Sequence, residues 1–106
     1  MRPEYITPQN ARRRVQAGSA LLVCAYTDEG RCKASNLEGA IKFGDFKKKL
    51  PALSKSQEII FYCASPREST SEWQAERLTE LGYGNVRILS GGVEKWKQVG
   101  FVWHHR

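Results

Sequence analysis

Long hydrophobic runs are missing from this chain, and so is any close pairing of cysteines. The longest apolar stretch, Ala20 to Tyr26, is far short of the roughly 20 residues that a membrane helix needs, so no spanning helix is expected. Three cysteines, Cys24, Cys32 and Cys63, are too few for a disulfide framework and lack the spacing of a zinc site, and no metal is expected. The two histidines, His104 and His105, lie together near the end, so neither a metal cluster nor a protease-like Cys/His pair has a signal. An odd cysteine count, with no apolar segment after Met1, predicts a reducing compartment, the cytoplasm, in which thiols serve chemistry or packing. Internal repeats and low-complexity tracts are absent as well.

What remains is ordinary for a packed soluble fold. The 106 residues fit one domain spanning 1–106, and 41% hydrophobic with 26% charged content favours neither a disordered nor a membrane-embedded chain. Seventeen Lys and Arg against eleven Asp and Glu give a net charge of +6, a surplus that suits a small anionic substrate. Nucleic acid is not favoured, because Arg12 to Arg14, Lys47 to Lys49 and Arg106 form short separate groups without interleaved aromatics. They read as solvated helix faces.

Strand and helix signals alternate along the chain. Thr7-Pro8 is a cap followed by proline at the first helical position, and Ala11 and Val15 give a short helix its inner face before Gly18. Residues Ala20 to Tyr26, ALLVCAY, predict a strand covered on both faces. The polar stretch Thr27 to Glu38 predicts a loop, Ala40 to Phe43 a short edge strand, and Asp45 to Leu53 a short basic helix limited by Pro51. EIIFYC, Glu58 to Cys63, predicts a second buried strand, and Ala75, Leu78 and Leu81 mark a helix over Ser71 to Leu81 closed by Gly82. A strand at Val86 to Leu89, a turn at Gly91-Gly92 and a helix over Val93 to Gln98 complete the series. Such alternation favours an α/β sheet of parallel strands.

Ligands of open parallel sheets sit beyond the carboxyl ends of the strands, and Cys63 ends one of them. After it come Ala64, Ser65, Pro66, Arg67, Glu68, Ser69, Thr70 and Ser71, small and hydroxylated residues leading into a helix. Amides of such a loop, Pro66 excepted, together with the positive end of a helix, would favour a thiolate and cradle an anion. Cys63 is therefore the candidate nucleophile, and Ala64 to Ser71 are candidate substrate-binding residues. The same position is also a common one for a small buried thiol. Thr70 or Ser71 is the expected helix cap, and Trp73, Trp96, Trp103, Phe61 and Tyr62 are expected to be packing anchors.

At this point the chain resembles the rhodanese-like domain family, from ITPQNARRRVQAG through the last helix. LGYGNVRILSGGVEKW, Leu81 to Trp96, carries the resemblance most specifically, supported by EIIFYC and by Gly39-Ala40 downstream of LLVCAY. It implies a three-layer α/β fold, a small and mostly parallel central sheet flanked by helices. It also implies a thiosulfate sulfurtransferase that needs no cofactor. Cys63 would take sulfane sulfur as a persulfide from an anionic donor such as thiosulfate and pass it to cyanide or a thiol acceptor, small or protein-borne. Neither a membrane nor nucleic acid is among the expected partners.

Three departures accompany the resemblance. Counting back from Leu81 leaves about two extra residues in the loop after Cys63, with Arg67 one position early and Glu68 in the usual arginine slot. Cys24-Ala25-Tyr26 stands where Asp-Val-Arg is usual, and Asn36-Leu37-Glu38 where a histidine is common. A wider loop keeps open a cysteine-dependent phosphatase or arsenate reductase, and the missing Asp-Val-Arg keeps open a non-catalytic module sensing redox state or sulfur supply. Cys24 and Cys32 are candidate resolving thiols that would attack an oxidised or persulfidated Cys63, against the plainer reading of packing or surface thiols.

Overall fold

Two strands buried on both faces form the middle of the structure, and the other elements are laid against them. The computed structural model describes residues 3–64 and 69–104. Its strands are β1 (Glu4–Ile6), β2 (Ala20–Cys24), β3 (Asn36–Leu37), β4 (Ala40–Ile41), β5 (Glu58–Tyr62), β6 (Val86–Leu89) and β7 (Trp103–His104). Its helices are α1 (Pro8–Gln16), α2 (Glu29–Ala34), α3 (Phe43–Lys49), α4 (Thr70–Glu80) and α5 (Gly92–Gln98), with a 3-10 turn at Leu50–Ala52. Five strands make one sheet in the order β1-β6-β5-β2-β4, every pairing parallel. The strands β3 and β7 pair antiparallel as a separate ribbon.

β5 lies at the centre, with Tyr62 opposite Cys24 on β2 and Phe61 opposite Ile88 on β6. Side chains of successive residues point to opposite faces, so an unbroken apolar run feeds two cores at once. Ile60, Tyr62, Leu22 and Cys24 face Ala11 of α1 and Val93 and Trp96 of α5. Ile59, Phe61 and Val23 face Phe46 of α3 and Ala75 and Leu78 of α4. Helices thus cover both sides of the sheet, and the fold is the three-layer α/β arrangement that the resemblance implied.

Several boundaries differ from the sequence reading, each for a local reason. Thr27 to Glu38 is not a loop: Asp28 accepts a hydrogen bond from Gly30 N at 2.9 Å and starts α2, and β3 follows. Six residues are too few for the apolar period to show, and α2 buries only Cys32. Phe43 opens α3 instead of ending a strand, and α3 gives way to the 3-10 turn where Pro51 removes a donor. The strands β1, β3 and β7, with three, two and two residues, exist through their pairing and carry no pattern of their own. Among the aromatic anchors, Trp96, Phe61 and Tyr62 are buried and Trp103 is half-buried, but Trp73 is exposed, with the Arg77 guanidinium 5.2 Å from its ring.

One buried charge ties four elements together. Glu58 at the start of β5 is almost fully buried, and its Oε2 accepts from Arg87 Nε at 2.7 Å and Arg14 Nη1 at 2.5 Å. Arg87 also donates to Glu4 at 2.6 Å, and these bonds, to Glu58 first, raise its pKa further. A buried carboxylate needs such partners, since removing one side of a buried pair is far costlier than losing an exposed one. Glu58→Ala is therefore expected to lower the urea-unfolding free energy by about 2 kcal/mol, with both arginines able to rehydrate. Glu4→Ala, at a mostly exposed site, should cost less than about 1 kcal/mol in the same measurement.

Candidate functional site

Cys63 directly follows β5, at the carboxyl end of the central strand, and its backbone is held there by α5. Val93 N donates to the Cys63 carbonyl at 3.0 Å and Glu94 N to the Ala64 carbonyl at 3.2 Å. Orphan amides of a helix start are thereby satisfied by the residues that open the candidate loop. Gly91 permits the approach: its φ of +79° is left-handed, and a Cβ there would lie 2.4 Å from Cβ of Lys95. The Cys63 side chain is 5% exposed, stands outside any disulfide, and belongs to the apolar cluster that holds Tyr26, Tyr62 and Val93.

The next amide has a partner that the sequence did not announce. Ala64 N donates to the Tyr26 hydroxyl at 2.8 Å, so the Ala64 N–H is committed and is not among the amides open to an anion. Ser65, Pro66, Arg67 and Glu68 lie outside the described residues. Ser69 is the N-cap of α4 in place of the expected Thr70 or Ser71, and its side chain makes no capping bond. Trp73 N donates to the Ser69 carbonyl at 3.0 Å, which leaves the amides of Thr70, Ser71 and Glu72 without an intrahelical acceptor. Ser71 is 1% exposed, and its Oγ has no hydrogen-bond partner among the described residues.

Two further groups belong to this neighbourhood. The Tyr5 hydroxyl on β1 donates to Glu72 in the first turn of α4. That bond, then burial, then the charge of Glu72, push Tyr5 up to about 12. A shallow cavity of about 200 Å³ opens between the β2–α2 turn and α4, lined by Tyr26, Arg31, Thr70 and Trp73 among others. Sequence reasoning missed Tyr5, Tyr26 and Glu72, because each reaches the site from a different element.

Cys24 and Cys32 are joined as a disulfide, their Cα atoms 5.9 Å apart. This corrects the expectation of two thiols poised to resolve Cys63: in the structure they are bonded to each other. The cause is the Asp28-capped α2, which folds Cys32 back over the end of β2. Among the described residues no group of three His, Cys, Asp or Glu could hold a metal ion, and no helix is long and apolar enough to cross a membrane.

Comparison with known proteins agrees with this architecture. The profile of the rhodanese-like domain matches residues 9–99, and the chain belongs to that family. Similar solved structures include the rhodanese-like domain of an Anabaena protein, with TM-score 0.78 and 21% identity over 100% of this chain and 81% of that one. The human single-domain sulfurtransferase gives 0.72 and 18%, covering 89% of this chain and 95% of that one. A thiosulfate sulfurtransferase from Pseudomonas aeruginosa gives 0.82 and 20%, with 96% of this chain matching 20% of the longer one. At these identities the likeness concerns the fold. No curated protein matches the sequence.

Two measurements check the geometry. Burial pushes Tyr62, whose hydroxyl donates to the Ser35 carbonyl at 3.1 Å, up to about 12. A neutral form favoured by folding stabilises fully below the unfolded pKa near 10 and is lost as pH rises toward 12. Native stability should thus fall over about pH 10 to 12, by roughly 3 kcal/mol from Tyr62, and Tyr62→Phe should flatten that loss. Ser71→Ala, removing a buried hydroxyl that has no partner among the described residues, should leave the melting temperature unchanged or raise it, equivalent to at most about 1 kcal/mol.

Proposed function

We propose that this protein is a sulfurtransferase that carries sulfane sulfur as a persulfide on Cys63. The Cys63 thiolate attacks the outer sulfur of an anionic donor such as thiosulfate; the donor's sulfur–sulfur bond breaks, and sulfite leaves with the electron pair. A thiolate or cyanide acceptor then attacks the outer sulfur of the persulfide, and the Cys63 thiolate departs. No group is oxidised or reduced from outside, so neither step requires an organic cofactor or a metal.

The observation that carries this reading is the position of Cys63 between a fixed backbone and an unfilled set of donors. Its carbonyl is anchored by α5, while at the other end of the loop the amides of Thr70, Ser71 and Glu72 have no acceptor within α4 and the Ser71 Oγ has no partner among the described residues. Donors already in place when negative charge arrives need no reorganisation. Arg67 is the cation assigned to the donor anion, and the cavity beside Tyr26 is the approach assigned to the acceptor. The setting proposed is the cytoplasm, where a disulfide is typically transient or redox-sensing.

Incubation with thiosulfate followed by intact mass measurement tests the proposal. The native chain should gain the mass of one sulfur, lose it on addition of cyanide with formation of thiocyanate, and Cys63→Ser should gain none. Ser71→Ala should load at least fivefold more slowly while folding normally. A native chain that gains no sulfur overturns the reading, and hydrolysis of an aryl phosphate or reduction of arsenate in its place would move the assignment to oxyanion chemistry on the same loop.

A further inference from the structure

We propose that the Cys24–Cys32 disulfide is a reversible redox latch that sets the reactivity of Cys63 through the Tyr26 hydroxyl. The inference rests on the reading of Cys63 as the reactive centre and adds a control to it. Tyr26 lies inside the loop that the disulfide closes, whose sequence separation is 8. The Cys32 sulfur lies 3.3 Å from the Tyr26 carbonyl oxygen, the Arg31 guanidinium sits 3.7 Å from the centre of the Tyr26 ring, and the Tyr26 hydroxyl takes the Ala64 amide. One side chain thus connects the disulfide loop to the first residue after Cys63.

The disulfide is buried, with Cys24 1% and Cys32 2% exposed, so its two states cannot occupy the same space. A bonded sulfur pair and two thiols in contact differ in spacing by about 1.5 Å, and a close-packed interior transmits such a change to its neighbours. The element able to give way is α2, a six-residue helix whose Glu29, Gly30 and Arg31 are all exposed, whereas β2 is fixed between β4 and β5. Reduction moves Cys32 and the Tyr26 backbone together, weakens the hold on Ala64 N, and so loosens the backbone next to the buried Cys63 thiol.

The chemistry is thiol–disulfide exchange with a cellular dithiol. One thiolate of the reductant attacks a sulfur of the Cys24–Cys32 bond, giving a mixed disulfide and a leaving thiolate. Its second thiolate then displaces the other cysteine. Two electrons and two protons pass to the protein, and the reductant becomes a cyclic disulfide. Re-oxidation uses a disulfide, or hydrogen peroxide with release of two waters.

The full chain is prepared oxidised and, separately, reduced with dithiothreitol, and both are pulsed with iodoacetamide, with modification at Cys63 read by peptide mass mapping. Cys63 should be alkylated at least fivefold faster in the reduced protein. The double variant Cys24→Ser, Cys32→Ser should show the fast rate with or without dithiothreitol. Tyr26→Phe, which keeps the ring beneath Arg31, should show the fast rate while still oxidised, with melting temperatures recorded for every form. Equal Cys63 rates in the two native states overturn the proposal, as does a redox dependence left intact in Tyr26→Phe or a disulfide reduced only where the whole fold melts. Alkylation reads the thiol itself, so a protein that fails to transfer sulfur would still return a clear answer.

Discussion

The carbonyls of Cys63 and Ala64 accept the leading amides of α5, and this pair of backbone bonds connects the central strand to its own exit loop. Without them the exit of β5 would be held by the Ala64–Tyr26 bond alone among the backbone ties described at this point, because the residues after a strand end have no ladder to hold them. The arrangement needs the left-handed glycine before α5 and a β5 position with neighbours on both sides. It therefore depends on the whole parallel sheet, in which β5 and β6 pair side by side and bring the start of α5 next to Cys63. Fold and candidate chemistry share the same few atoms.

The surroundings of that point are tied together without charge. Cys24-Ala25-Tyr26, at and just after the end of β2, carries neither an acid nor an arginine. Here the support consists of a covalent bond from Cys24 to α2, the Ala64 N–H donated to the Tyr26 hydroxyl, and the Ala25 carbonyl accepting from Gln74 on α4 at 3.2 Å. Each tie reaches a different element, so the end of β2 organises both the α2 side and the α4 side of the cavity. Ser71 contrasts with these groups, as a buried hydroxyl with no partner among the described residues. Native proteins leave few such atoms, and an unspent donor beside a helix start is consistent with an anionic ligand.

The basic surplus has a structural account as well. Arg14 and Arg87 converge on Glu58, and Arg12 lies 3.5 Å from Glu38. Lys55 packs 3.9 Å from the centre of the Tyr83 ring and Lys97 3.5 Å from that of Trp103. Cations placed over aromatic faces shield apolar surface as well as carrying charge. Several of the seventeen basic residues are thus spent on carboxylates and rings spread around the molecule, which fits the absence of a basic stripe in the sequence.

Sequence alone determined the elements that carry a strong local signal. ALLVCAY and EIIFYC have no polar face to confuse the pattern, Thr7-Pro8 carries its own cap, and LGYGNVRILSGGVEKW fixes the order of helix, strand, turn and helix. The placement of Cys63 at a strand end followed from the same pattern. Tertiary structure decided whatever depends on partners distant in sequence: the three-residue β1 that pairs with β6, the short α2, and the joining of Cys24 to Cys32. It also decided that Tyr26 takes the Ala64 amide across a separation of 38 residues and that Tyr5 meets Glu72 across 67. The physical reason is that burial of a long apolar run is a local property of composition. A single hydrogen bond or disulfide between distant residues exists only once the sheet has brought their backbones together.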